Sequence, residues 1–384
     1  MFNFSIVKRS RKSRARLGQL KTSHGLVETP TLVPVATQAT LKTLWSEQVE
    51  VTGTQLLISN TFHLHLKPGE QIVRAAGGLH TFMHWKRPIM TDSAGYQVFS
   101  LGFGKDHQVG KIIGKEVRQS TKHLVTVGEL DRPREIKISE EGVLFRSPVD
   151  GRTVFIGPRE SMRIQAKLGA DIIFAFDECT PPNADHAYTE RSLERTHRWA
   201  QISLDQHDPR QALFGVVQGG RYKDLRQKSA RVLGALPFDG FGIGGEFGAD
   251  KKTMSAMIKW VLAELPDAKP RHLLGIGHLD DIKPIIKAGI DTFDCIVPTH
   301  YARHGVAFTR RARINFKQSA YLRDRRPIDR TCRCFVCKNY TRSYIAHLFK
   351  AREITALSLT SFHNVFLFNT YVAELRDQIR AGTL

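Results

Sequence analysis

Eight short apolar runs, each bounded by Gly, Pro or polar residues, recur along this chain, and their alternation with helix-like segments constrains the fold more than any other feature. The runs are Leu32 to Val35, Leu56 to Ser59, Pro88 to Thr91, Ile172 to Phe176, Leu213 to Val217, Gly240 to Ile243, His272 to Ile276 and Thr292 to Val297. Between several of them the period shifts to that of a helix. In Tyr222 to Leu236, for example, Leu225, Ala230, Val232, Leu233 and Leu236 share a face opposite Lys223, Arg226 and Lys228. The segments Glu160 to Leu168, His186 to Gln206, Lys251 to Leu265 and Asp280 to Lys287 read the same way. Strand-helix alternation implies a parallel sheet, and eight repeats favour closure into a (β/α)8 barrel over an open doubly wound sheet. The barrel is expected over residues 1–300, with a polar insertion at about 104–137, and a cysteine-bearing region with C-terminal helices over 301–384. A helix is expected at Asn339 to Arg352.

Composition narrows the partners. With 41% apolar residues the chain builds a core, which excludes disordered and collagen-like classes. The 57 Lys and Arg outnumber the 37 Asp and Glu, a formal charge of +20 that makes nucleic acid the first partner to test. The N-terminus runs straight into the basic segment Lys8 to Arg16 with no secretory pattern, and Thr355 to Ala373 carries Thr, Ser, His or Asn at eight of nineteen positions, too polar to span a membrane. A soluble, cytoplasmic protein is expected. No internal repeat or low-complexity tract accompanies these features.

Five cysteines argue against a disulfide framework, and three of them fall within six residues as Cys332, Cys334 and Cys337. Three thiolates at this spacing suit a tetrahedral ion, with zinc expected, one per chain and structural rather than catalytic. Cys179 and Cys295 are distant in sequence, so the fourth ligand is expected to be His347 or His363; spacing favours His363, read as following a second helical stretch.

Barrel enzymes assemble their sites at the C-terminal ends of the strands. Those ends carry Asp92, Asp177, Gln218, Gly244, Gly245 and Asp294. Three carboxylates, an amide and a glycine pair suit a planar, donor-rich ligand together with acid, base or nucleophilic chemistry.

The strand ends and the cysteines together resemble one family, the tRNA-guanine transglycosylases, which exchange a guanine in tRNA for a 7-deazaguanine base. The likeness rests on Thr29-Pro30-Thr31-Leu32-Val33-Pro34-Val35, Ser59-Asn60-Thr61-Phe62-His63-Leu64, Thr91-Asp92-Ser93-Ala94-Gly95-Tyr96-Gln97-Val98, Phe176-Asp177-Glu178-Cys179-Thr180-Pro181, Val217-Gln218-Gly219, Gly244-Gly245, Gly275-Ile276-Gly277, Phe293-Asp294-Cys295 with Pro298-Thr299, and the three cysteines with His363-Asn364. It implies an irregular (β/α)8 barrel with a C-terminal zinc subdomain and His363 as the fourth ligand. It implies Asp294 as the nucleophile on ribose C1′ and Asp92 as the general acid and base. Asp177 is then expected to accept from the N1 and N2 edge of the purine, Gln218 and the Gly245 N–H to address O6, Tyr96 and Leu274 to sandwich the ring, and Cys179 to lie beside it. Expected partners are tRNA and the base, with a homodimer left open.

Four departures stand out. Ala94 replaces the first of two glycines before the tyrosine and is expected to narrow the approach. After Gly244-Gly245 the chain reads Glu246-Phe247-Gly248-Ala249-Asp250. Gly248 stands where bacterial members of the family carry Val and eukaryotic ones Gly, so the resemblance implies room for the larger queuine, and a Glu246 that faces the pocket is expected to pair with the amine of queuine or its aminomethyl precursor. His300 stands where Arg is usual, and the insertion around Gly104 to Lys137 is extra. Two other functions remain open: a related base exchanger acting on DNA, and a non-catalytic RNA-binding subunit, which would need neither Asp92 nor Asp294.

Overall fold

Strands buried on both faces read as continuous apolar runs, which is why the eight runs were visible in the sequence. The computed structural model describes residues 2–103, 136–181, 183–245 and 251–384. From the N-terminus, β1 (Asn3–Arg9), β2 (Arg16–Thr22) and β3 (Gly25–Thr29) form an antiparallel meander. Next come β4 (Thr31–Pro34), β5 (Leu57–Ser59) and β6 (Ile89–Thr91). A second antiparallel meander, β7 (Lys137–Ile138), β8 (Val143–Arg146) and β9 (Thr153–Ile156), precedes β10 (Ile172–Phe174), β11 (Ala212–Val217), β12 (Gly240–Ile243), β13 (Arg271–Leu273) and β14 (Thr292–Cys295). The parallel sheet has the order β4-β14-β13-β12-β11-β10-β6-β5. Its two edges meet where Val35 bridges Ile58 and the Ala36 N–H donates to the Ile58 carbonyl at 2.8 Å, so the sheet curls into the expected barrel.

Period-two alternation sorts the side chains. Leu32, Leu57, Ile89, Ile173, Leu213, Phe241, Leu273 and Phe293 pack outward with the helices, while Val33, Ile58, Met90, Ile172, Phe174, Phe214 and Val216 fill the lumen. Leu20 and Val27 of the first meander join that lumen cluster with Phe2 and Phe4, and Phe2 sets its edge against Phe214 at 5.9 Å. Each such buried side chain stabilises the fold by about 1.5–3 kcal/mol. The meander thus plugs the N-terminal end of the barrel and leaves the C-terminal strand ends for chemistry. It is pinned by the buried Arg16, whose guanidinium meets both oxygens of Asp291 at 2.8 and 2.6 Å.

The strand expectations stand within one to three residues at their ends, whereas two C-terminal expectations need correction. The helix expected at Asn339 to Arg352 is two helices, Phe335–Asn339 and Arg342–Lys350. Thr341 separates them because its hydroxyl accepts from the Tyr344 N–H and caps the second. His363 does not follow a helix but lies inside one of 27 residues, Ile354–Arg380. The first meander was not anticipated. Of the insertion, only Ile136 and Lys137 fall within the described residues. Among these residues no helix is long and apolar enough to cross a membrane.

Candidate active site and metal centre

Asp92 leaves β6 at its C-terminal end and collects four donors. The N–H groups of Thr61 (2.9 Å) and Ala94 (3.2 Å) reach Oδ1, and the side-chain amides of Asn60 and Gln97 (3.0 Å) reach Oδ2. Burial pushes the carboxyl up, the backbone donors pull it back, the Asp294 charge adds to the rise, and the group titrates at about 7. The turn that follows is tight for two reasons. A Cβ on Gly95 would sit 2.3 Å from the Asp177 carbonyl oxygen, so only glycine fits there. Ala94 holds φ at +74°, a left-handed backbone that costs a non-glycine residue roughly 1–2 kcal/mol. The Ala94 methyl is fully buried in the apolar cluster that also holds Phe62, Val98 and Phe176.

Beyond β10, Asp177 is buried and accepts from the Ser93 hydroxyl (2.8 Å) and from Gln218 Nε2 (2.7 Å). Gln218 Oε1 is buried with no hydrogen-bond partner among the described residues. A Cβ on Gly244 would come within 2.8 Å of the Gln218 amide nitrogen, and one on Gly245, at φ +80°, within 2.8 Å of its oxygen, so the glycine pair is what allows the backbone to approach the amide. Beneath them the buried Arg226 donates to the Gly220 and Gly244 carbonyls and fixes both loops.

Asp294, one residue before the end of β14, has Oδ1 receiving the Gly275 N–H at 2.7 Å and facing His272 Nε2 at 3.2 Å. Tyr96 neighbours it: desolvation, then the Cys179 and Asp294 charges, push its phenol up to about 12. The structure therefore brings Asp92, Asp294, Tyr96 and Cys179 together, with Asp177, Gln218, Gly245 and Leu274 at the adjoining strand ends. Glu246 and Gly248 lie outside the described residues. At the rim, burial, with the neighbouring His304, Arg303, Lys42 and His278 adding to it, lowers His300 to about 4.

Cys332, Cys334, Cys337 and His363 converge in a group able to hold a metal ion, all four ligand atoms lying within 4.8 Å of one another. His363 Nδ1 is 3.5 Å from Cys334 Sγ and 3.3 Å from Cys337 Sγ. Neighbouring ligand atoms of a tetrahedral ion at thiolate and imidazole bond lengths are about 3.6 Å apart, so the set fits. The other ring nitrogen, Nε2, donates to the Phe308 carbonyl at 2.7 Å, which leaves Nδ1 as the lone-pair side. His347 is exposed on its own helix and outside the group. A second set, His24, His80 and Asp171, also lies close together. There the carboxylate already accepts from Ser23, His24, His80 and the Ile89 N–H, and the two imidazoles stack at 3.5 Å and 13°. Parallel rings cannot aim both lone pairs at one ion, so this set is a hydrogen-bonded hub that ties the first meander to the barrel.

A model of the family described as queuine tRNA-ribosyltransferase matches residues 10–384. The chain belongs to that family. Proteins named queuine tRNA-ribosyltransferase from Halothermothrix orenii and Moorella thermoacetica are 43% and 44% identical to it, over 100% and 99% of this chain and 95% and 94% of their own lengths. One of the same name from Acetivibrio thermocellus is 44% identical over 99% of this chain and 94% of its own. Membership makes the chain a pentosyltransferase. For a queuine tRNA-ribosyltransferase family member, the expectations from sequence missed the residues that tune the acids. Asn60, Thr61 and Gln97 sit in quoted motifs without an assigned part, and His272 stood unremarked at the start of an apolar run. A buried His inside such a run was the available signal.

Proposed function

We propose that the protein exchanges guanine in tRNA for a 7-deazaguanine base through a covalent ribosyl-enzyme. The Asp294 carboxylate attacks C1′, the C1′–N9 bond breaks, and protonated Asp92 delivers its proton to the departing guanine. Asp92, now ionised, takes the N9 proton of the incoming base, whose nitrogen attacks C1′ and releases Asp294. The observation that carries this reading is a carboxyl that titrates at about 7 beside a second carboxylate, because a group poised near neutral pH can serve as acid and then as base. The buried Asp177–Gln218 pair supports recognition of the purine, Asp177 accepting from its N1 and N2 side while the second Nε2 hydrogen of Gln218 and the Gly245 N–H donate to O6. Tyr96 and Leu274 stack on its faces beside Cys179. The three-thiolate, one-imidazole set suits zinc, one per chain, with no open position and hence a structural part. We divide the chain near residue 300 on this basis, and tRNA as substrate places the work in the cytoplasm.

The test is incubation with labelled guanine and either total tRNA or duplex DNA. Label should enter tRNA, and a denaturing gel should show an RNA adduct that Asp294→Ala abolishes. Label in DNA alone would overturn the substrate, and an adduct persisting in Asp294→Ala would remove that residue as nucleophile.

A further inference from the structure

We propose that His272 is a positioning residue for the reaction: its Nε2–H holds the Asp294 carboxylate in one rotation, and Thr292 holds the imidazole in the tautomer that makes this possible. The inference rests on Asp294 being the nucleophile.

The arrangement follows from register. In the ladder between β13 and β14, His272 lies directly opposite Thr292, and Asp294, two residues further along, shares the face of Thr292. The imidazole therefore stands between hydroxyl and carboxylate, with Nδ1 at 2.9 Å from Thr292 Oγ1 and Nε2 at 3.2 Å from Asp294 Oδ1. Both His272 and Thr292 are fully buried, and the ring rests against Phe174, centroids 5.3 Å apart and tilted by 55°.

The protons can be placed. An ionised carboxylate only accepts, so Nε2 carries hydrogen. The buried Thr292 hydroxyl has one hydrogen and Nδ1 is the acceptor within reach, so in this arrangement the hydroxyl donates to Nδ1 and the ring carries its hydrogen on Nε2. The Gly275 N–H meets the same Oδ1 at 2.7 Å. Two donors on one oxygen, one from backbone and one from a ring wedged against Phe174, fix the carboxylate torsion before substrate arrives.

The donor also bears on which half of the reaction is slow. Attack on C1′ consumes the carboxylate charge, and breakdown of the ribosyl-enzyme returns it to the leaving carboxylate. A hydrogen bond stabilises that returning charge, so its loss slows release of Asp294 more than it slows attack.

The test uses the full chain with tRNA and labelled guanine. His272→Phe keeps the ring and removes the donor. Its kcat should fall by about tenfold to a hundredfold, KM for tRNA should stay, and the steady-state fraction trapped as RNA adduct should rise. His272→Gln, whose amide can place N–H near the Nε2 position, should recover to within about fivefold of wild type. Thr292→Val is nearly isosteric and removes only the tautomer lock; its kcat should fall by about three- to tenfold with KM unchanged. Wild-type kcat in both His272→Phe and Thr292→Val would overturn the inference, as would a folded His272→Gln no better than His272→Phe. Should His272→Phe fail to fold, Thr292→Val alone decides. If the wild-type chain forms no adduct that Asp294→Ala abolishes, the reading of Asp294 itself falls; if it does and these variants behave as wild type, only the part given to His272 falls.

Discussion

Replacing Gln97 by Met should move the pH dependence of base exchange upward, because Gln97 is one of four donors that stabilise the ionised form of Asp92. Its Nε2 lies 3.0 Å from Asp92 Oδ2. A hydrogen bond to a charged group is worth about 1.5–3 kcal/mol, and about 1.4 kcal/mol corresponds to one pKa unit, so the ceiling is a rise of roughly one to two units. The three remaining donors re-share the carboxylate, so about one unit is expected, from about 7 to about 8. The sign is fixed: a donor to the anion favours the anion, and its loss favours the acid. Release of labelled guanine in a single turnover needs protonated Asp92, so its high-pH limb should shift up by about one unit in Gln97→Met. Uptake of the incoming base needs the carboxylate, so its low-pH limb should shift the same way by the same amount. Both limbs are measurable by rapid quench from about pH 5.5 to about 9.5. Limbs that stay put, or move down, would refute both the hydrogen-bond assignment and the part given to Asp92.

Three further outcomes follow from the geometry. His363→Ala should lose the metal and unfold the C-terminal region, with metal content by mass spectrometry of the native chain falling to near zero; full retention would point back to His347. Burial raises Asp171, but its bonds from His80, His24 and the Ile89 N–H outweigh that and hold it well below the usual carboxylate range. Its stabilisation is therefore present above the unfolded value near 4 and lost as pH falls below it, so Asp171→Asn should cost about 2–4 kcal/mol at neutral pH by urea unfolding, a difference that shrinks below about pH 4. Binding of tRNA should weaken with a log–log salt slope of about −3 to −5, because Arg311, Arg313, Arg323, Arg325, Arg330, Arg333 and Lys338 are exposed around the cysteine segment while Arg310, Arg326 and Arg342 are ion-paired with Glu374 or Asp324. A slope near zero would mean that this patch does not carry binding.

The parts of this molecule that were legible in the sequence are those in which one residue type serves one demand. Barrel strands are buried on both faces, so apolar runs announced them, and carboxylates at their ends announced chemistry. The helix Ile354–Arg380 was misread because its Thr, Ser, His and Asn residues break the apolar pattern, yet Ser361, His363, Asn364 and Asn369 have partners that only the fold supplies. Asn364 bonds the Phe308 N–H and the Pro298 and Val306 carbonyls, Asn369 bonds the Thr52 carbonyl and the Thr54 hydroxyl, and His363 faces the cysteines. Polar residues that in the sequence only ruled out a membrane span are what dock this helix. The same logic hid the apparatus around the acids. Ala94 reads from sequence as one extra methyl group, but its consequence lies in φ, which no composition reveals. His272 reads as a lone histidine in an apolar run, and its partners are set by the register of two strands whose paired residues are twenty positions apart. Asn60 and Gln97 come from different strand ends and meet only at Asp92. A carboxyl that titrates at about 7 is thus a property of the closed barrel, since its burial, its four donors and the neighbouring Asp294 charge exist only when the strand ends are brought to one rim.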